Sequence, residues 1–393
     1  MKQTKVLLDV EKGIENQYGV FNPSPLSLCD DHDNFWSCSF RRFCGGPADG
    51  VDILKLNNGR LTLEILPTRG MGIWRGTCGE IDLRWKSPVI GPVHPRFVPI
   101  FDGDGAGWLE GFDEWLVRCG LESNGAQELK PNGQLAYPLH GRLANIPAHY
   151  LEWSVDDDNG ELCVTGKVRE SRLFRKNLEL ESSVIMRVGD SSFTVRDRIT
   201  NLSSEFAEIE YLYHINTGYP FLPPGSRLYV PYRRLAPHNA VAAGVLSEWD
   251  RLTEESPGNP EVVFLLDPLE DESGTCRALL TPAGEQQAIM LSFQKSQCPC
   301  FSFWKSRLTH QDGAVCGLEP ATNFPNTRSF EASNGRTVRL EPGESRVFEL
   351  RFDLLTEANA VYNARNQLQQ LQQSVHGIID AVPPPTWSEE SYS

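Results

Sequence analysis

Along most of this chain, apolar and polar residues alternate one by one over five to ten positions and then break at Gly, Pro, Asn or Asp. Such alternation points successive side chains to opposite faces, which is the pattern of a strand with one face buried. Residues 53–66, ILKLNNGRLTLEIL, form two such runs around Asn58-Gly59, a strong short-range hairpin signal. Residues 151–168 repeat the theme around Asn159-Gly160, residues 182–201 predict a third hairpin, and TVRLEPGESRVFELRFDLL closes the fold with more strand. Helical spacing is scarce. It predicts one helix within 356–380, where Val361, Leu368, Leu371, Val375 and Ile378 recur at helical intervals. With 33 Gly and 27 Pro as punctuation, the pattern predicts an all-β, antiparallel architecture rather than βαβ units. No low-complexity linker divides the chain. The expected organisation is an N-terminal extension over 1–50 packing on the domain, one large β domain over 51–355, and a C-terminal helix with a mobile acidic tail over 356–393. Residues 243–260 are the least patterned interior stretch and are expected to form a lid or rim loop.

Composition narrows the partners. The formal charge of −15 argues against nucleic acid or an anionic membrane as the main partner, though not against a small anion held by a local arginine cluster. No stretch approaches the ~18 apolar residues of a membrane span, and Val6-Leu7-Leu8 is too short for a signal-peptide core. Ten cysteines without an export signal suit free thiols in a reducing compartment, so a cytoplasmic location is expected. Cys298-Pro-Cys300 has neither redox nor zinc spacing, and the Cys29–His32–Cys38 segment is expected to be a surface loop. No metal or cofactor motif is present, and a homodimer is compatible with the composition.

Three stretches concentrate polar chemistry among the strands: His140 in LHGRLANIPA, His214 and Asn216 in YLYHINTGYP, and Glu319 with Thr322 and Asn323 in GLEPATNFPN. Alternation sets Leu212, His214 and Asn216 on one face and Tyr211, Tyr213 and Ile215 on the other. Pro320 disfavours helical backbone at Glu319 and holds it extended. Each residue alone is as well explained by a structural role. No nucleophile elbow, phosphate-cradling Gly-rich loop or His-Glu-x-x-His occurs, which leaves proton transfer as the natural chemistry of two histidines and a carboxylate. Trp74, Trp108, Phe112, Trp115 and Trp304, with Arg69, Arg75, Arg118 and Lys305 nearby in sequence, suit a sugar, whose C–H face stacks while its hydroxyls take directional partners.

The set LHGR (139–142), LYHINTGYP (212–220), GLEPATNFPN (317–326) and VRLEPGESRVFELRF (338–352), in this order, resembles the aldose 1-epimerase or galactose mutarotase-like superfamily over residues 50–355. LPTRGMGIW, HGRLANIPA and EPATN resemble a narrower branch whose members mostly lack an assigned substrate. The resemblance implies a β-supersandwich of many antiparallel strands with few short helices, acting on a monosaccharide or sugar derivative without a cofactor. It implies that Glu319 removes the anomeric hydroxyl proton, His214 protonates the ring oxygen, and His140 binds the sugar near that oxygen. Arg142, Arg69, Asn216, Trp304, Lys305 and Asn323 are the expected substrate-binding residues. The sequence around His214 departs from the galactose mutarotases, and neither Asp250 nor Asp267 suits their sugar-binding aspartate. Arg142, directly after His140-Gly141, resembles instead relatives that bind phosphorylated hexose, so with Arg69 and Lys305 it points to an acidic or phosphorylated sugar. The alternatives are another sugar isomerase, epimerase or lyase on the same fold, or a sugar-binding protein without turnover.

Overall fold

The computed structural model describes residues 2–21, 36–253 and 261–390. Two antiparallel sheets face each other across one continuous apolar core. The first has nine strands and is built on the long meander Tyr150–Asp156, Glu161–Ser171, Asn177–Arg187 and Ser192–Asn201, with Ser345–Leu355 beside it. The second has thirteen strands among the described residues. Its centre runs in the order Gly72–Cys78, Leu116–Cys119, Leu212–Gly218, Val315–Ala321 and Cys300–Lys305. Alternating burial along Glu161–Ser171 and Asn177–Arg187 matches the one-face-buried pattern of their sequences. The central strands of the larger sheet are buried on both faces, because a further layer covers the side turned away from the core.

All three hairpins form where the turn residues predict them. At the first, Gly59 takes φ 92, and Asn58 Oδ1 accepts from the Leu61 amide at 2.7 Å. Between the sheets, Trp115, Phe193 and Phe352 interlock, with Phe193 and Phe352 stacked at 4.7 Å. Burying each such side chain stabilises the fold by about 1.5–3 kcal/mol. The core also holds an ion pair with no exposed surface. Arg118 Nε donates to Asp197 Oδ2 at 2.7 Å, and the Tyr211 hydroxyl donates to the same oxygen.

Both ends of the chain differ from expectation. The described residues before 51 are integral to the sheets rather than an extension packed on them: Lys2–Asp9 pairs with Tyr150–Asp156 in one sheet, and Ser37–Arg42 pairs with Asp52–Asn57 in the other. The C-terminal helix covers Ala358–Gln373 and seats Val361 and Leu368 against Leu279, Ala288 and Met290. It stops short of 380 because the chain pairs again, Ile378–Ile379 running parallel to Tyr232–Pro237. The acidic tail is docked, not mobile, through residue 390. Asp380 pairs with Arg234, Trp387 packs 4.8 Å from Phe324, and Glu389 accepts from the Thr327 amide and hydroxyl at 2.7 Å each. A tryptophan and two carboxylates with fixed partners offset the ordering entropy that a polar tail alone does not. Of the expected rim loop, 243–253 contains a short turn of helix and 254–260 lies outside the described residues, as do Cys29 and His32. Cys298 and Cys300 are buried free thiols. No helix among the described residues is long and apolar enough to cross a membrane.

Candidate active site

The register of the larger sheet makes the site. Leu212–Gly218 pairs with Val315–Ala321 so that Ile215 meets Leu318 and Leu212 meets Ala321, which sets His214 beside Glu319. Both side chains project from the face opposite the core, while Ile215, Leu318 and Cys316 project into it. His214 Nε2 lies 3.3 Å from Glu319 Oε1. Gly317 lies beneath them: a Cβ there would come within 2.9 Å of both Glu319 Oε1 and His214 Cε1. Glycine thus lets the two side chains close over the strand.

A covering layer completes the enclosure. The 3₁₀ segment Gly103–Gly111 and the residue after it place Trp108 and Phe112 over the pair, with Phe112 5.2 Å from the His214 ring. Trp304, from the neighbouring strand, stands 5.5 Å from His214 and 6.2 Å from Phe112, and its indole N–H donates to Glu261. His140 closes the remaining side, its ring 5.2 Å from His214 and 4.6 Å from Trp108. Its backbone is left-handed at φ 56, which costs a non-glycine residue about 1–3 kcal/mol. The loop over 120–125 holds it there: the His140 amide donates to Gly125 O, and Nδ1 donates to Asn124 O at 2.9 Å. His214 and Glu319 keep only 4% and 3% of their surface exposed.

Hydrogen bonding fixes the protons. Asn216 Nδ2 donates to Glu114 O and His214 O, so its Oδ1 is the atom 2.5 Å from His214 Nδ1. Oδ1 only accepts, hence Nδ1 carries hydrogen and the Nε2 lone pair points at Glu319. Burial sets the charges. It lowers the His214 imidazole to about 3, with the adjacent His140 adding to the effect and Asn216 opposing it. It raises Glu319 well above the carboxylate range, with Glu261 adding to the rise, and lowers His140 to about 4. The resting pair is therefore a neutral carboxylic acid facing a neutral imidazole, one proton between them. Such a pair can accept a proton at one end of a bound hydroxyl compound and release one at the other.

Of the residues singled out by sequence, His140, His214, Asn216, Glu319, Trp304, Trp108 and Phe112 converge here. Arg69, Asn323, Lys305 and Arg142 do not. Arg69 is buried away from the pair and donates to Glu114 Oε1, Asn145 Oδ1 and Gly111 O, so it braces the segment that carries Phe112. Asn323 is fully buried, exchanging two hydrogen bonds with Asn124, and thereby steadies the carbonyl that holds His140. Lys305 follows Trp304 in a strand and so points to the opposite face, over the core rings of Phe264 and Phe303. Its Nζ donates to Glu248 O and Arg251 O, and burial lowers it to about 8. Arg142 faces a separate cavity. Asp250 and Asp267 are paired with Arg227 and Lys295. Asn124 and Glu114 carry no local sequence signal for their part here, since each reaches the site, at His140 and Asn216, through its main-chain carbonyl. Among the described residues, no group of His, Cys, Asp or Glu could hold a metal ion.

Residues 48–354 match the family model described as a domain of unknown function, DUF4432. A Klebsiella pneumoniae structure, described only provisionally as an aldose 1-epimerase, is 30% identical, with 97% of this chain and 98% of that one covered at a TM-score of 0.92. The galactose mutarotase-like protein of Clostridium acetobutylicum shares the fold at 12% identity, covering 86% and 98% at 0.54. The galactose 1-epimerase of Lactobacillus acidophilus shares it at 9% identity, covering 81% and 98% at 0.52. No protein of curated function matches. The chain belongs to the DUF4432 family, and its fold is that of the galactose mutarotase-like superfamily.

Proposed function

We propose that this protein is a sugar isomerase that interconverts the anomers of a monosaccharide, with Glu319 and His214 as its proton-transfer pair. The observation that carries the reading is the 3.3 Å approach of a buried carboxyl and a buried imidazole that hold one proton between them. Anomer exchange needs that inventory. With the proton on His214 Nε2, Glu319 takes the proton from the anomeric hydroxyl, and the electron pair left on that oxygen forms the aldehyde. The C1–ring-oxygen bond breaks, and His214 protonates the ring oxygen. This leaves Glu319 protonated and His214 neutral, the resting distribution. Rotation about C1–C2 followed by the reverse steps gives the other anomer, with no net proton exchanged. His140, neutral with its Nδ1 proton committed to Asn124 O, presents Nε2 as an acceptor for a sugar hydroxyl. Trp304, Phe112 and Trp108 supply aromatic faces for the ring C–H groups.

An uncharged sugar fits better than an anionic one. Arg69 has its donors engaged, Lys305 lies on the opposite face of its strand, and Arg142 opens onto another cavity. Saturation-transfer NMR over neutral aldoses, uronic acids and sugar phosphates tests the reading. Accelerated anomer exchange on a neutral aldose, lost in Glu319→Gln, is expected. An unchanged rate in Glu319→Gln would remove Glu319 from the mechanism. A new product, rather than faster exchange, would assign the site to a different isomerisation.

A further inference from the structure

Two residues beyond His140 the chain turns Arg142 into a cavity of about 170 Å³, lined by residues of the 122–142 region and of the turn joining Glu161–Ser171 to Asn177–Arg187. Five cationic side chains, Lys130, Arg142, Arg172, Arg175 and Lys176, line it against two carboxylates, Glu122 and Glu170. In a protein of net charge −15 this is a local reversal of sign, and clustered like charges repel unless something neutralises them. The two carboxylates do so only in part. Glu170 attracts Arg142 and Lys176, and Glu122 attracts Lys176, but no close ion pair joins either carboxylate to the cations among the described residues, and Glu170 directs Oε2 to the Leu121 amide at 2.7 Å. Arg142 Nε is buried with no hydrogen-bond partner, an expensive state for a guanidinium unless a ligand supplies the acceptor. Arg172 and Arg175 bracket a tight turn closed by the Arg175 amide on Arg172 O, and this turn holds Phe174 at φ 63. Strained, non-glycine backbone of this kind persists where the surroundings fix it.

We infer that this cavity is an oxyanion site, separate from the His214–Glu319 site, that takes the phosphoryl group of a small phosphate or phosphate ester between Arg142, Arg172 and Arg175. Guanidinium forks match phosphate oxygens in pairs, and the cavity is sized for such a group rather than for a whole sugar. The two sites share backbone but no side chain: Arg142 N and Leu143 N both donate to Gly120 O, while Gly120 N donates to His140 O. An occupied cavity therefore firms the loop that carries His140.

Calorimetric titration with inorganic phosphate, at ionic strength held constant with sodium chloride, tests the inference. Saturable binding is expected, weakened at least tenfold in Arg142→Gln and in Arg175→Gln, and within twofold of the parent in Glu319→Gln. Arg175 sits in an exposed turn, so its variant separates loss of the site from loss of the fold. Absence of saturable binding, or binding indifferent to both arginine substitutions, overturns the inference. Glucose 6-phosphate, titrated in parallel, distinguishes a free phosphate from the phosphate end of a substrate. An ester affinity that falls with Glu319→Gln would make the cavity part of the sugar site and overturn its separateness. Neither result depends on whether the protein exchanges anomers.

Discussion

Two buried pairs, Arg118–Asp197 in the core and His214–Glu319 on the outer face of the same sheet, are equally dry and do opposite things. At the first, burial works against the charge on Arg118, but Asp197 at 2.7 Å outweighs it and the guanidinium stays charged. Nε also reaches that carboxylate while Nη1 takes the Met71 carbonyl. Tyr211 adds a donor to Asp197 Oδ2, so the charged pair has partners beyond itself on each side, although Arg118 Nη2 and Asp197 Oδ1 are buried without one. At the second, no side chain among the described residues donates a hydrogen bond to Glu319, His214 turns a lone pair to it, and both partners shed their charge instead. A compensated pair fixes structure. An uncompensated one keeps a movable proton, which is the condition for acid–base work.

Breaking the reactive pair has the largest expected effect. Glu319→Gln and His214→Gln should each cut anomer exchange by about 10²–10⁴-fold. Because the two act as one relay, the double variant should be no slower than the worse single, a non-additivity read directly from the exchange rates. Breaking the structural pair comes next. Arg118→Met strands Asp197 without its counter-charge and should cost about 3–5 kcal/mol in urea unfolding. Asn216→Ala should lower kcat about tenfold with little change in KM, since Asn216 fixes the His214 tautomer rather than binding sugar. A matching change in KM alone would make it a sugar ligand.

The smallest effect has the opposite sign. Glu319 in the folded protein has a pKa above its unfolded value, so between the two values the unfolded chain sheds a proton that the native state retains. Stability therefore falls as pH rises through that window. His214, lowered to about 3, contributes stability that is lost as pH falls below the ordinary histidine value toward 3. Glu319→Gln removes the first penalty and should stabilise the protein by about 1 kcal/mol at pH 8 while abolishing activity. Thermal unfolding at pH 5 and pH 8 reads both signs, and a variant less stable than the parent at pH 8 would show that Glu319 is charged and compensated.

The fold was legible because its signals are local. Asn58-Gly59 and Asn159-Gly160 turn where they do through their own backbone preferences, and alternation from Tyr211 to Asn216 correctly separates His214 and Asn216 from the core residues Tyr211, Tyr213 and Ile215. The same rule separates Lys305 from Trp304, since neighbours in a strand cannot share a face. The fates of Arg69 and Arg142 were not legible, because they depend on Glu114 and on a turn 30 residues away. The docking of Trp387 likewise depends on Phe324, which no local pattern couples to a proline-rich tail.

The enclosure by Trp304, Phe112 and Trp108 has a consequence for how the reaction meets its medium. Sugars change anomer in water with help from whatever buffer is dissolved there. If the pair exchanges anomers as proposed, this aromatic wall, with Trp304 tethered to Glu261, should return the proton taken from the sugar before the surroundings exchange it. Turnover should be indifferent to buffer concentration, and a deuteron placed on the relay should outlast many cycles.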